Sequence, residues 1–168
     1  MNPKIIKKEA MILAGFSFFG NPFEESDPWS EGNEIGKLWQ RFMAFVQQYA
    51  SDLKGIIAQD DVFYEVHISH PETKVKSEYE VFIGVAVDQI KDVPVELLVK
   101  VLPATQYAVF TLEGEQINSD WHFMIYQQWM PDSGYSAAYE YGFQAYDDRF
   151  KGMDNLADSV LDVYIPIK

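Results

Sequence analysis

WHFMIYQQWMPDSGYSAAYEYGFQAYDDRF at residues 121–150, followed by VLDVYIPIK at 160–168, carries the reading of this fold. Apolar and aromatic residues recur at helical spacing through the first ten positions. Asn118 or Ser119 can cap the start of that helix, and Pro131, which has no backbone N–H to donate, is expected to stop it. From Tyr139 to Tyr146, rings then alternate with Glu140, Gly142 and Gln144, the period-two pattern of a strand. Leu161–Ile167 supplies another strand. Just upstream, TQYAVFTLEG at 105–114 reads as a strand ending at glycine. The unit is therefore strand, helix, strand, strand.

The first half repeats this order. Ala10–Gly20 is a dense apolar strand that also ends at glycine. Ile35, Leu38, Trp39, Phe42, Phe45, Val46 and Tyr49 mark a helix over residues 34–50, capped by Ser30 or Asn33. Val62–Ile68 and Glu80–Val87 form a hairpin around a polar turn. The acidic loop at 21–33 carries Phe23 and Trp29, rings expected to fold back onto the body or onto a ligand. Residues 92–103 join the halves and extend the sheet. The expectation is a single α+β domain over 1–168, with halves at about 1–90 and 91–168. Its duplicated strand–helix–strand–strand units form one antiparallel sheet with two main helices on one face. A crevice then lies between the helices, above the central strands, where pockets often sit.

Composition narrows the function. The chain has 168 residues, enough for a sound core, with 12 Phe, 10 Tyr and 4 Trp. So many rings serve either a ring-rich core or a ring-lined pocket. A net charge of −13 repels phosphate backbones, so no direct nucleic-acid partner is expected; the same field attracts organic cations and favours solubility. The absence of cysteine removes disulfides, thiolate metal sites and cysteine nucleophiles. His67 and His70 fall on opposite faces of a regular strand, so no metal site is expected, and no glycine-rich phosphate loop occurs. Asp60–Asp61 and Asp147–Asp148 read as turn residues. MNPKIIKKEAMILAG at the start reads as a first strand rather than a signal peptide, and no apolar run reaches the ~18 residues of a membrane span. The expectation is a cytoplasmic protein without a membrane or cofactor partner.

An ordered set of segments resembles the GyrI-like small-molecule-binding domain, the effector-binding domain of AraC/Rob-type and MerR-type multidrug regulators. The segments are AMILAGF (10–16), EYEVFIGVAV (78–87), LPATQYAVFTLEG (102–114), the helix with Trp121, Ile125, Tyr126, Trp129 and Pro131, then SGY (133–135), FQAYDDRF (143–150) and DVYIPIK (162–168). The resemblance implies a hydrophobic central pocket that takes lipophilic cations with rings and one buried carboxylate. That acid commonly sits in a strand written Phe-Glu-any-Tyr. Here the matching positions are Phe143, Gln144, Ala145 and Tyr146, so an amide stands where an acid is usual. A buried amide offers a dipole and hydrogen bonds rather than a charge, which weakens charge selectivity or points to a neutral ligand.

The candidate ligand-binding residues follow from strand alternation and from the resemblance. Gln144 and Tyr146 share one strand face, with Glu140 ~13 Å from Gln144 along it. Gly142 on that face would admit close approach of a ligand or another chain. Tyr164 in the last strand, Tyr64 and Phe82 in the first-half hairpin, and Trp39 and Trp121 on the helices complete the set, each with core packing as its alternative role. The leading function is a stand-alone binder of an amphipathic, cationic small molecule. No residues remain for a DNA-binding helix-turn-helix, so transcription control would need a regulatory protein partner, and a homodimer is compatible with the same reading. One alternative is a hydrolase of electrophilic small molecules using Glu140 or a tyrosine as base. A gyrase-inhibitor-like interaction module is the other.

Overall fold

The computed structural model describes residues 2–23, 32–59 and 61–168; Trp29, Ser30 and Asp60 lie outside them. The strands are β1 (Lys4–Lys8), β2 (Met11–Gly20), β3 (Phe63–Ile68), β4 (Tyr79–Val87), β5 (Leu98–Leu102), β6 (Thr105–Glu113), β7 (Tyr141–Tyr146) and β8 (Val160–Ile167). They form one eight-stranded sheet in the order β1-β6-β8-β7-β3-β4-β2-β5, every pair antiparallel. Outward from the β3–β7 junction each strand is matched by its counterpart: β4 by β8, β2 by β6, β5 by β1. The sheet carries the duplication as an approximate two-fold symmetry.

Two short connections force this sheet to curl. In a flat sheet β1 and β2 would lie roughly 29 Å apart at ~4.8 Å per strand. Only Glu9 and Ala10 join them, a reach of about 11 Å. Pro103 and Ala104 impose the same limit between β5 and β6. The registers show the outcome. Lys8 faces Thr105 in the β1–β6 ladder, and Met11 faces Leu102 in the β2–β5 ladder, three residues on in one segment and three back in the other. The two ladders are thus one interrupted ladder between two long bent strands, and the sheet closes on itself as a barrel.

The barrel interior is a core of its own, built on Leu13, Tyr64, Val66, Phe82, Tyr107 and Phe143, with Tyr164 packed against it. Phe143 stacks on Tyr164 with ring centroids 4.5 Å apart. Gly15 and Gly84 face each other across β2 and β4, where the facing backbone leaves no room for a Cβ.

Helices cover the outer face. α1 (Glu34–Gln48) lays Leu38, Phe42 and Phe45 onto Ala14, Val81 and Ile83. Asn33 caps it, its Oδ1 accepting the Gly36 N–H at 2.8 Å. Asn33→Ala is expected to lower stability by about 1 kcal/mol, measured by urea denaturation. Short turns α2 (Ala50–Leu53) and α3 (Thr73–Lys76) follow, the second inside the β3–β4 connection.

The second helical segment departs from expectation in three ways. Its cap is Asp120, whose Oδ1 accepts the Phe123 N–H at 3.0 Å, rather than Asn118 or Ser119. α4 (Trp121–Phe123) widens into a π-helical stretch, Met124–Trp129, before α5 (Met130–Ser133). Pro131 does not stop it: the Met130 N–H reaches back to the Ile125 carbonyl, and the wide turn makes room for the proline ring. The segment ends at Gly134 in the left-handed conformation. Ile125 packs with Phe110, Leu112, Val163 and Ile165 on the other half of the outer face.

Candidate functional site

A cavity of about 1120 Å³ opens between α1 and the second helical segment, above β3 and β7. Its floor follows from strand alternation. Phe63, Glu65 and His67 of β3 point outward toward the helices, while Tyr64 and Val66 point into the barrel. On β7, Gln144 and Tyr146 take the same outward face. Register sets Glu65 directly opposite Gln144.

Glu65 is the buried acid of the site, only 5% exposed. Trp39 of α1 donates its indole N–H to Oε2 at 2.5 Å, and the His67 ring donates Nε2–H to Oε1 at 2.7 Å. An ionised carboxylate accepts about four hydrogen bonds, so roughly two lone-pair positions remain for a ligand. Gln144 shows the matching arrangement in the second half. It is 7% exposed, and Tyr146 donates its hydroxyl to Oε1 at 2.8 Å. Each half thus offers a side-chain acceptor held by a donor two residues along the same strand: His67 on Glu65, Tyr146 on Gln144. The approximate two-fold axis passes between them.

The electrostatics are one-sided. Among the described lining residues the charged side chains are acids, Asp61, Glu65, Asp120, Asp147 and Asp148, with no Lys or Arg. Burial, reinforced by the Glu65 charge, pushes the Tyr146 and Tyr79 phenols well above their ordinary range and keeps both protonated. Burial, and then the nearby His67, lowers the His122 pKa. Arg149 is not a lining residue, but it pairs with the lining Asp147 (2.7 Å) and with Asp162 (2.6 Å). Rings wall the space: Trp39 meets Tyr146 edge-on at 5.0 Å and Phe63 at 6.2 Å, and Phe23, Tyr79, Trp121 and Phe150 also line it.

The structure brings Trp39, Trp121, Gln144 and Tyr146 together at this cavity, and Phe23 of the acidic loop joins them. Other candidates lie elsewhere. Tyr64, Phe82 and Tyr164 fill the barrel interior, because their strand positions have the opposite parity to Glu65 and Gln144. Glu140 precedes β7 and is not among the lining residues; its backbone carbonyl accepts the Ser69 N–H. Gly142 shares the outward face, but Ile165 and Tyr126 cover it rather than open space. Glu65 and His67 escaped the sequence reading as ligand contacts. The available signal was a lone acid inside the apolar run VFYEVHI, two residues before a histidine. No group of three metal-ligating side chains occurs among the described residues, and no described helix is long and apolar enough to cross a membrane.

Comparison with known proteins adds to this geometry. Residues 4–167 match the family described as "Cass2: Integron-associated effector binding protein". The transcriptional regulator BrlR of Pseudomonas aeruginosa is 27% identical over an alignment of 168 positions that covers 99% of this chain and 56% of BrlR. The chain therefore spans about half the length of that curated relative. Among solved structures, SAV2435 bound to tetraphenylphosphonium superposes with a TM-score of 0.70 at 16% identity, covering 100% of this chain and 94% of that one. The C-terminal domain of EcmrR gives 0.66 at 14% identity, covering 99% and 97%. These two likenesses are likenesses of fold.

Proposed function

The chain belongs to the Cass2 family of integron-associated effector-binding proteins, and on that footing we propose that it captures an amphipathic organic cation in the cavity between its two helical segments. The observation that carries this reading is Glu65, a carboxylate held at the floor of a ring-walled cavity whose described lining contains no Lys or Arg. A desolvated cation beside one buried carboxylate and several rings gains Coulomb attraction and about 0.5–2 kcal/mol per well-placed ring. Tetraphenylphosphonium bound to SAV2435, a protein of the same fold, is consistent with such a ligand.

Titration calorimetry with a panel of lipophilic cations and neutral molecules of similar shape tests this. At least one cation is expected to bind below ~100 μM, about −5.5 kcal/mol, and more tightly than its neutral counterpart. A panel without any such binder would refute it. Gln144→Glu is expected to tighten monocation binding severalfold, by roughly 1 kcal/mol. The gain is modest because two facing carboxylates share a proton, which raises one pKa. Affinity should therefore climb further as pH rises and that proton leaves. An affinity that is flat with pH in this variant would place Gln144 away from the bound charge.

The hydrolase alternative finds its acid in Glu65 rather than Glu140, and the Glu65–His67 pair is the observation in its favour. Time-dependent product formation that disappears in Glu65→Gln would favour the enzyme.

A further inference from the structure

Gln144 has a hydrogen-bonding capacity that the protein leaves unused. Its carbonyl accepts from Tyr146, and this is the one side-chain hydrogen bond that Gln144 makes among the described residues. The residue is nevertheless more than nine-tenths buried and lines the cavity, so its two amide N–H donors have the cavity to face. The amide orientation is self-consistent. With Oε1 accepting from the Tyr146 hydroxyl, the two N–H donors are the part of the amide left for another partner. These donors have no side-chain partner among the described residues and open onto the cavity, so a ligand that brings an acceptor gains a hydrogen bond there.

Opposite it, Glu65 has spare lone pairs after Trp39 and His67 are counted. The floor of the cavity is therefore an acceptor and a donor side by side, with backbones roughly 5 Å apart as facing residues of an antiparallel pair are. A tetra-aryl onium satisfies only the charge. It has no N–H for the carboxylate and no oxygen for the amide.

We infer that the preferred ligand is a protonated amine carrying a neutral oxygen acceptor three or four bonds from its nitrogen: an aromatic amino-amide, amino-ketone or amino-ester. Its ammonium N–H meets Glu65 and its oxygen takes the Gln144 N–H. This rests on the cation-binding reading and narrows it to one class of cation, with Gln144 as the residue that selects it.

The test uses the full chain and three probes in titration calorimetry, at a pH where both amines are protonated. Lidocaine places a tertiary ammonium one carbon from an amide carbonyl. Its reduced analogue has CH₂ in place of that carbonyl. Tetraphenylphosphonium carries charge alone. Wild type is expected to prefer lidocaine over the reduced analogue by about tenfold, the worth of one buried hydrogen bond. Gln144→Leu and the near-isosteric Gln144→Met are both expected to bring that ratio to about one. Reading a ratio within each protein separates this effect from general damage to the site. A wild-type ratio near one overturns the inference, and with tetraphenylphosphonium still binding the cation reading stands. A preference that survives in both variants also overturns it, since another group then reads the oxygen. If none of the three binds wild type, the cation reading fails and the inference falls with it.

Discussion

Glu65→Gln is expected to weaken tetraphenylphosphonium binding by about 2–3 kcal/mol, roughly 30- to 150-fold in Kd. Two unit charges 4–6 Å apart at an effective dielectric of about 20 attract by roughly 3–4 kcal/mol, and the amide dipole returns part of that. The loss should be confined to charge: a neutral molecule of similar shape should change less than about threefold by the same reasoning. The variant also loses an acceptor. Trp39 and His67 both donate to the carboxylate, whereas an amide presents one oxygen and a donor face, so His67 keeps a partner only by turning its Nε2 into an acceptor. A parallel denaturation curve separates that cost from binding. A monocation affinity within threefold of wild type would remove Glu65 from the binding account.

Gly15→Ala is expected to destabilise the fold by at least about 3 kcal/mol, seen as a lower urea midpoint or loss of folded protein. A Cβ at Gly15 would sit 1.9 Å from the Ile83 carbonyl oxygen and 2.6 Å from the Gly84 Cα. Both are backbone atoms, so no rotamer change relieves the clash, and β2 and β4 would have to separate. The same strands carry Leu13 and Phe82 of the barrel interior and Ala14, Val81 and Ile83 under α1, so both cores feel the change. Gly55→Ala is the control. A Cβ there meets nothing within 4 Å, and its stability should stay within about 0.5 kcal/mol of wild type. Equal effects at the two positions would refute the close-approach account.

The duplicated strand–helix–strand–strand order was legible because each unit is punctuated: glycine at the end of β2 and just after β6, a capped apolar stripe for α1, alternation in β7. Barrel closure was not, since it depends on register between segments about a hundred residues apart, and periodicity does not encode register. The faces of β3, β4 and β8 were hidden for a related reason. Each is buried on both sides, so Phe63 and Tyr64, or Phe82 and Ile83, look alike in sequence although they serve different cores. The site was half legible. Gln144 and Tyr146 came from one strand whose polar phase was visible, whereas Glu65 sat in a strand read only for its rings.

The approximate two-fold axis between Glu65 and Gln144 gives this scaffold two interchangeable seats for a charge. On the cation-binding reading proposed above, moving the acid from β3 to β7 is expected to hold the same cation in a pose related by a half-turn. Exchanging the residues at 65 and 144 would therefore rotate the bound molecule rather than evict it. Substitution at a single facing pair can thus invert ligand orientation while the barrel and both helices stay where they are.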